Sequence, residues 1–494
     1  MLSRDLSCDL LGRMTVRSPV VGAATDELLA IDLGDARLDA RVRRLVAALE
    51  RNPAAGFPAA VGTEAEREAV YRLLGNGRVT LETLLAPHAQ QTVRRAAGCA
   101  GRPLVVIDKT AFVFAGESDR EGLTRLGAAR QGFDAFVALA VSAARAPLGV
   151  LAIQPLEGNA GRSSAEGWAG AVIAAADSIG ALQPIYVMDR EADGYPLFAQ
   201  LIERGRDFVV RVSHERLVKE HAEAGKELLR AIVARAPVRL RRTVRLARRI
   251  TGGKPRDARR RYPPREGREA SLAVRACAMV LPRPPKLGRS CPDGLAVNLV
   301  QVLEEHPPAD VTPVEWLLVT TLPVTDARAV GQIVDSYRAR WTIEEYFKAL
   351  KSGCAYEKRQ LESRATLLNA LGVLAPLAWR LLALRTAAAD VRAPATAVLE
   401  DDELHVLRHL SRDVRLGPTP TAAEALCAIA RIGGHFRQNG RPGWQVLWTG
   451  FQKLIGQVEG YRLARAELAS PPYGPTALTR TVRLGSQRAG NNEI

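Results

Sequence analysis

The sequence predicts an α/β core with a helical segment on either side of it, and three observations carry that reading. Two short apolar runs, LVVID and PIYVMD, end in Asp108 and Asp189 and have the texture of buried central strands. Stretches before residue 100 and after residue 365 repeat their apolar residues at helical spacing. Between Ser213 and Val311 apolar and polar residues alternate, which is the period of half-buried strands.

Taken in order, residues 1–25 show no pattern and read as a loose N-terminus. Residues 26–100 form a small helical unit. Leu38, Val42, Leu45 and Val46 recur on one helical face, Arg37, Arg41, Arg43 and Arg44 fill the others, and Pro53 stops the helix. TEAEREAVYRLLGNGRVT and Leu81–Ala97 continue it. By residue pattern this unit is equally a solvated bundle or a DNA reader. Gly101, Arg102 and Pro103 link it to LVVID. Strands follow at Phe133–Ala143 and Leu148–Leu156, then a helix at Ala165–Ile179, a strand at Pro184–Met188 and a helix at Tyr195–Glu203. An acid at the end of a buried strand is where α/β sheets place chemistry. Three strands, a helix, a strand and a helix is the order of the ribonuclease-H-like fold. Its first and fourth strands lie side by side, which makes Asp108 and Asp189 neighbours. The core spans 101–365 and carries a β-rich insertion over about 214–320, including the loop GGKPRDARRRYPPREGREA. Residues 366–469 are helical; LLNALGVLAPLAWRLLALRTAA is interrupted by Pro376 and reads as a buried helix pair. Residues 470–494 read as a disordered tail.

Composition narrows the partners. The 494 residues carry a net charge of +16 and 47% apolar side chains, with a pI near 10.0. Charge of this sign and size suits a polyanion, above all nucleic acid. No uninterrupted apolar run reads as long enough to span a bilayer, and MLSRDLSCDLLGRM lacks the apolar core of a signal peptide. Six scattered cysteines include no CxxC pair, so a reducing cytosol fits and a zinc site does not. The Ala- and Arg-rich usage suggests a GC-rich genome.

The most informative stretch is Tyr337–Gly353, YRARWTIEEYFKALKSG. On a helix, Arg340, Glu344, Lys348 and Lys351 share a face, Tyr337 joins them one turn earlier, and Trp341, Ile343, Phe347 and Leu350 point elsewhere. An ordinary salt-bridged face has this look as well. Thr342 and Glu345 are spaced as a capping box, which would split the stretch near Trp341.

The spacing Y-x2-R-x3-E-x6-K resembles, almost letter for letter, the Tyr-Arg-Glu-Lys signature of a group of bacterial insertion-sequence transposases of the cut-and-paste type. DREADG at 189–194 resembles that family's second aspartate box, and LGDAR with AVYRLLGN resembles its N-terminal end-recognition domain. The resemblance covers roughly residues 27–465. It implies an Asp-Asp-Glu triad of Asp108, Asp189 and Glu344 holding two Mg²⁺ ions per active site, with Mn²⁺ able to substitute. Three hard carboxylates suit such ions, and a pair of them supports both oxygens of an in-line displacement at phosphorus. It implies DNA contacts from Tyr337, Arg340, Lys348, Lys351 and Arg211, and from Arg37, Arg41, Arg44 and Arg72 in the N-terminal unit. Trp316 corresponds to a tryptophan that stacks on a flipped base of the transposon end; a core aromatic in a strand is the plain alternative. The first aspartate stands in DKT where relatives have Asp-Thr-Thr, so Lys109 departs from the pattern. The implied partners are double-stranded DNA, both terminal inverted repeats and target, and a second subunit in a homodimer joined through the C-terminal helices, with no membrane. The implied location is the bacterial cytoplasm, on the nucleoid. The implied reaction is hydrolysis at the 3′ ends, a hairpin intermediate and strand transfer. A stand-alone nuclease of the same fold and a decayed transposase acting as a DNA-binding inhibitor are the rival readings.

Overall fold

The computed structural model describes residues 25–51, 56–156, 165–246, 248, 265–289, 291–309, 311–389, 392–411, 416–436 and 442–469. The expected loose N-terminus, the C-terminal tail and most of the arginine-rich loop lie outside these residues. What is described is mixed α/β: one large mixed sheet and the helices that cover it.

The chain opens with α1 (Ala36–Arg51), α2 (Phe57–Ala60), α3 (Glu64–Leu74) and α4 (Leu81–Ala97). Thr63 and Glu66 close a capping box on α3, and Thr80 caps α4. The sheet begins with β1 (Leu104–Ala115), β2 (Thr124–Gly127), β3 (Arg130–Val141) and β4 (Pro147–Pro155). After α5 (Ala165–Ile179) come β5 (Ile185–Met188), α6 (Tyr195–Glu203) and β6 (Phe208–Arg211). Next are β7 (Leu217–Lys219), β8 (Lys226–Leu228), α7 (Leu229–Arg235), β9 (Val238–Leu246), β10 (Arg268–Pro282), β11 (Gly294–Glu305) and β12 (Glu315–Thr320). The strand order is β2-β3-β1-β5-β6-β12-β11-β10-β7-β8, with β4 on β3 and β9 on β10. β5 is parallel to both β1 and β6, and the remaining pairs are antiparallel.

Strand alternation divides the core between the two faces of the sheet. Val105, Ile107, Tyr186 and Met188 pack on one face with Trp168 of α5 and Phe198 of α6. Val106, Phe112, Phe114 and Val187 pack on the other, beneath the helices that follow the sheet.

Those helices are α8 (Ala327–Ala339), α9 (Trp341–Lys348) with a π-turn at Ala349–Gly353, α10 (Arg364–Ala387), α11 (Asp401–Leu410), α12 (Ala422–Ile432) and α13 (Trp444–Ala469).

Several expectations change. β1 does not end at Asp108: antiparallel β3 accompanies it to Ala115, whereas β5 stops opposite Ile107. The alternating segments lie in the same sheet as the core, because β12 pairs with β6. The stretches forming β7, β8 and α7 are too short to leave a readable period. Residues 364–387 are one helix running through Pro376, not a pair. A proline inside a helix costs about 3 kcal/mol, but α10 is enclosed along its length by apolar neighbours, and their burial outweighs that cost. By length and composition this 24-residue helix could cross a membrane, although Asn369 and Arg380 interrupt its apolar run, and nearly all of it is buried inside the fold.

The helical flanks share the core of the sheet. Asn369 on α10 donates to the carbonyls of Leu74 and Val79, at 2.8 Å each. The Trp379 indole donates to the Pro147 carbonyl on β4 at 3.1 Å. Arg380 of α10 is buried between Glu50 of α1, at 2.8 Å, and Glu403 of α11, at 3.2 Å.

Candidate active site

The parallel pairing of β1 with β5 sets the geometry. Leu104 lies opposite Ile185 and Ile107 opposite Met188, so the next residues, Asp108 and Asp189, leave adjacent strands side by side. Alternation aims both at the face covered by α8 and α9, since Val106 and Val187, two residues back, belong to that face. Asp108 is 8% exposed and its Oδ1 accepts the Lys109 backbone N–H at 2.9 Å. Asp189 caps the 3₁₀ turn Arg190–Ala192, with Oδ1 accepting the Glu191 N–H at 2.7 Å.

The third acid arrives from above. α8 ends at Ala339, α9 starts at Trp341, and Arg340 forms the joint with no side-chain cap. The expected split therefore occurs, without the Thr342 capping box. Arg340 is 7% exposed. Its Nη1 donates to Asp108 Oδ2 at 2.7 Å and its Nη2 to Glu344 Oε1 at 3.4 Å. Burial pushes the Asp108 carboxyl up to about 7; Arg340 pulls it down, while Asp189 and Glu344 add to the rise. Asp189 is raised as well, first by burial. Burial opposes the charge on Arg340, but Asp108, Tyr337, Glu344 and Asp189 outweigh it and hold the guanidinium above its ordinary value. One guanidinium thus engages Asp108 and approaches Glu344, with Asp189 on the adjacent strand. Two aspartates and a glutamate are oxygen donors of the kind a hard divalent ion takes. As arranged, no group of three His, Cys, Asp or Glu residues is close enough to hold a metal among the described residues.

The other residues singled out from the sequence are placed as follows. Tyr337 is buried one turn before Arg340, and burial raises its phenol. Trp316 is 3% exposed, with its ring at 71° to that of Tyr337 and centroids 5.3 Å apart. Its ring is buried against that of Tyr337. Arg211, half-buried, hydrogen-bonds Tyr337 and donates to the Glu315 carbonyl at 3.2 Å. Lys348 pairs with Glu345 and lies over the Trp341 ring, so it does not turn toward Glu344. The π-turn swings Lys351 onto β1, where it donates to the Ala111 carbonyl and meets Glu357 at 3.4 Å. Arg37, Arg41, Arg44 and Arg72 are exposed on α1 and α3; Arg37 pairs with Asp35 and Arg72 with Glu68.

Two braces were missed in the sequence. Lys109 points to the face opposite Asp108 and meets Glu191 at 3.3 Å, tying β1 to the turn that carries Asp189. Asp193, the last acid of DREADG, accepts from the Ser213 N–H at 2.6 Å and from Arg216, which anchors that turn to the chain after β6. The repeated acids of DREADG were the available signal.

Residues 101–378, more than half of the chain, match the family model described as transposase DDE domain. Residues 21–79 match the one described as transposase DNA-binding. A solved structure with some likeness is the cryo-EM structure of the piggyBac transposase synaptic complex with hairpin DNA, at 8% identity and a TM-score of 0.28. The alignment covers 81% of this chain and 63% of that one, so the chain spans less than two thirds of that protein's length.

Proposed function

Because this chain belongs to the transposase DDE-domain family, we propose that it is a DNA transposase that cleaves transposon ends and joins them to target DNA. The observation that carries the proposal is the pairing of Ile107 with Met188, which sets Asp108 beside Asp189, with Arg340 drawing Glu344 to the same point.

In this reading the core is ribonuclease-H-like, with the signature group, bacterial cytoplasmic setting and cut-and-paste course that the sequence motifs imply. The DDE-domain family implies a divalent metal, typically Mg²⁺. Two such ions, with Mn²⁺ as substitute, would supply Lewis acidity to the scissile phosphate. Asp108, Asp189 and Glu344 are the residues that would hold them. The braces Lys109–Glu191 and Asp193–Arg216 keep the two aspartates in register. In hydrolysis, a water oxygen bonds to phosphorus as the bond to the 3′-oxygen breaks. The freed 3′-hydroxyl then attacks a phosphorus of the opposite strand, displacing the flanking DNA's 3′-oxygen to give a hairpin. Water reopens the hairpin by displacing the attacking 3′-oxygen, which then attacks a target phosphorus and displaces a target 3′-oxygen. The exposed arginines of α1 and α3, within residues 26–100, bind the terminal repeats. Residues 366–469 join two subunits, one active site per end.

The test is end cleavage by Asp108→Ala, Asp189→Ala and Glu344→Ala. Each is expected to abolish cleavage while DNA binding is retained. A variant that cleaves at near-wild-type rate in Mg²⁺ removes that residue from the triad, and a wild-type protein that nicks without joining strands is a nuclease instead.

A further inference from the structure

We infer that Arg340 is the internal counter-cation of the carboxylate cluster, and that metal binding and DNA binding are coupled through its release. The inference rests on the triad reading above and adds to it a role for Arg340 in metal affinity.

The guanidinium engages Asp108 Oδ2 at 2.7 Å and approaches Glu344 Oε1 at 3.4 Å, and it is nearly closed off from water. A divalent ion needs those same oxygens. Two cations drawn to one buried set of carboxylates repel each other strongly at this separation. Arg340 and the ion therefore compete. The neighbouring cations do not share this position: Lys348 is held by Glu345, Lys351 by Glu357 and Lys109 by Glu191 on the far face of β1. Arg340 also occupies the one-residue joint between α8 and α9. A small change in the angle between these helices moves its guanidinium relative to Asp108.

A phosphate is the ligand chemically suited to receive it, because a guanidinium binds phosphate oxygens in bidentate fashion. A DNA backbone laid over the site draws Arg340 outward and frees Asp108 and Glu344 for the ion. By linkage, DNA tightens metal binding and metal tightens DNA binding by the same factor. The ion is then taken up in step with a DNA backbone.

The experiment measures Mn²⁺ binding to the full-length protein from loss of the free-ion paramagnetic resonance signal, with and without a mixed-sequence DNA duplex at low salt. Wild type is expected to bind Mn²⁺ roughly tenfold more tightly with duplex. Arg340→Gln is expected to bind tightly without DNA and to gain little when DNA is added. Arg340→Lys keeps a cation at the joint and is expected to remain weak without DNA. Equal Mn²⁺ affinity of wild type with and without duplex overturns the inference, even if Arg340→Gln fails to fold. Arg340→Gln binding Mn²⁺ no better than wild type also overturns it. If Asp108→Asn leaves Mn²⁺ binding unchanged, the triad reading itself falls, and this inference with it.

Discussion

Trp316 and Lys109 show how one residue's role turns on which neighbour it meets. The register of the Tyr-Arg-Glu-Lys stretch suggests that Trp316 stacks on a base, but the ring lies against Tyr337 in the core. Trp316→Ala is expected to cost about 3–5 kcal/mol of stability, read from a urea denaturation midpoint, and to lower binding, nicking and hairpin formation together. A stable variant that nicks normally yet makes no hairpin would assign the base-stacking role to Trp316. Lys109 raises the opposite concern, a cation next to a catalytic acid. It points away and pairs with Glu191, at side-chain exposures of 18% and 51%. Pairs that open to solvent contribute under about 1 kcal/mol. Lys109→Thr should therefore leave the denaturation midpoint almost unchanged, and a double-mutant cycle with Glu191→Gln should return a coupling of that size. A larger coupling would make the brace a major element of the site.

At the scale of elements, close approach decides how α4 sits on β4. Gly149 has φ +147°, and a Cβ built there would lie 1.9 Å from Thr92 Oγ1. The same contact region holds Thr92, which donates to the His88 carbonyl at 2.8 Å. Gly149→Ala must push α4 off the strand and force a backbone conformation that L side chains rarely adopt. It is expected to cost about 3 kcal/mol, visible as a lower melting temperature. A variant melting with wild type would mean that α4 slides freely on β4. The same reasoning explains α10. Its proline would break an exposed helix, and burial of the turns around it among apolar neighbours keeps it whole.

Across the whole molecule, buried charges tie the helical flanks to the sheet. Glu27 joins the buried His88 ring at 2.6 Å and Arg95 at 2.7 Å, and His88 Nε2 accepts the Val150 N–H at 3.0 Å. Burial holds the His88 imidazole below its usual 6.5, with Glu27 pushing back. The ring is therefore neutral, with Nδ1–H donating to Glu27. Burial raises Glu27, but His88 and Arg95 outweigh it and leave it below 4.5. A His that stays neutral in the fold takes up a proton only on unfolding, so stability falls as pH drops below 6.5; the Glu27 contribution is lost below 4.5. The melting temperature should decline between pH 6.5 and 4.5, and His88→Gln should flatten the decline. An unchanged slope would place the proton uptake elsewhere. Arg380 between Glu50 and Glu403 is a second tie, joining the two helical flanks to each other, and Arg380→Ala, which takes the shared cation away from two largely buried carboxylates, is expected to cost about 3–5 kcal/mol, read from a urea denaturation midpoint.

Local pattern alone determined much of this protein. Apolar runs marked β1 and β5 with an aspartate at each, helical period bounded α5 and α6, and four residue types at fixed spacing marked the joint of α8 and α9. These are properties of neighbours along the chain, where covalent geometry ties spacing to face. Only the tertiary structure decided which charges meet. Arg340 and Asp108 are 232 positions apart, and no spacing rule reaches that far. The same holds for Trp316 beneath Tyr337, for Lys351 carried onto β1 by a π-turn, and for α10 surviving its proline. In each case the outcome depends on which surface packs opposite, and that is set by the fold as a whole.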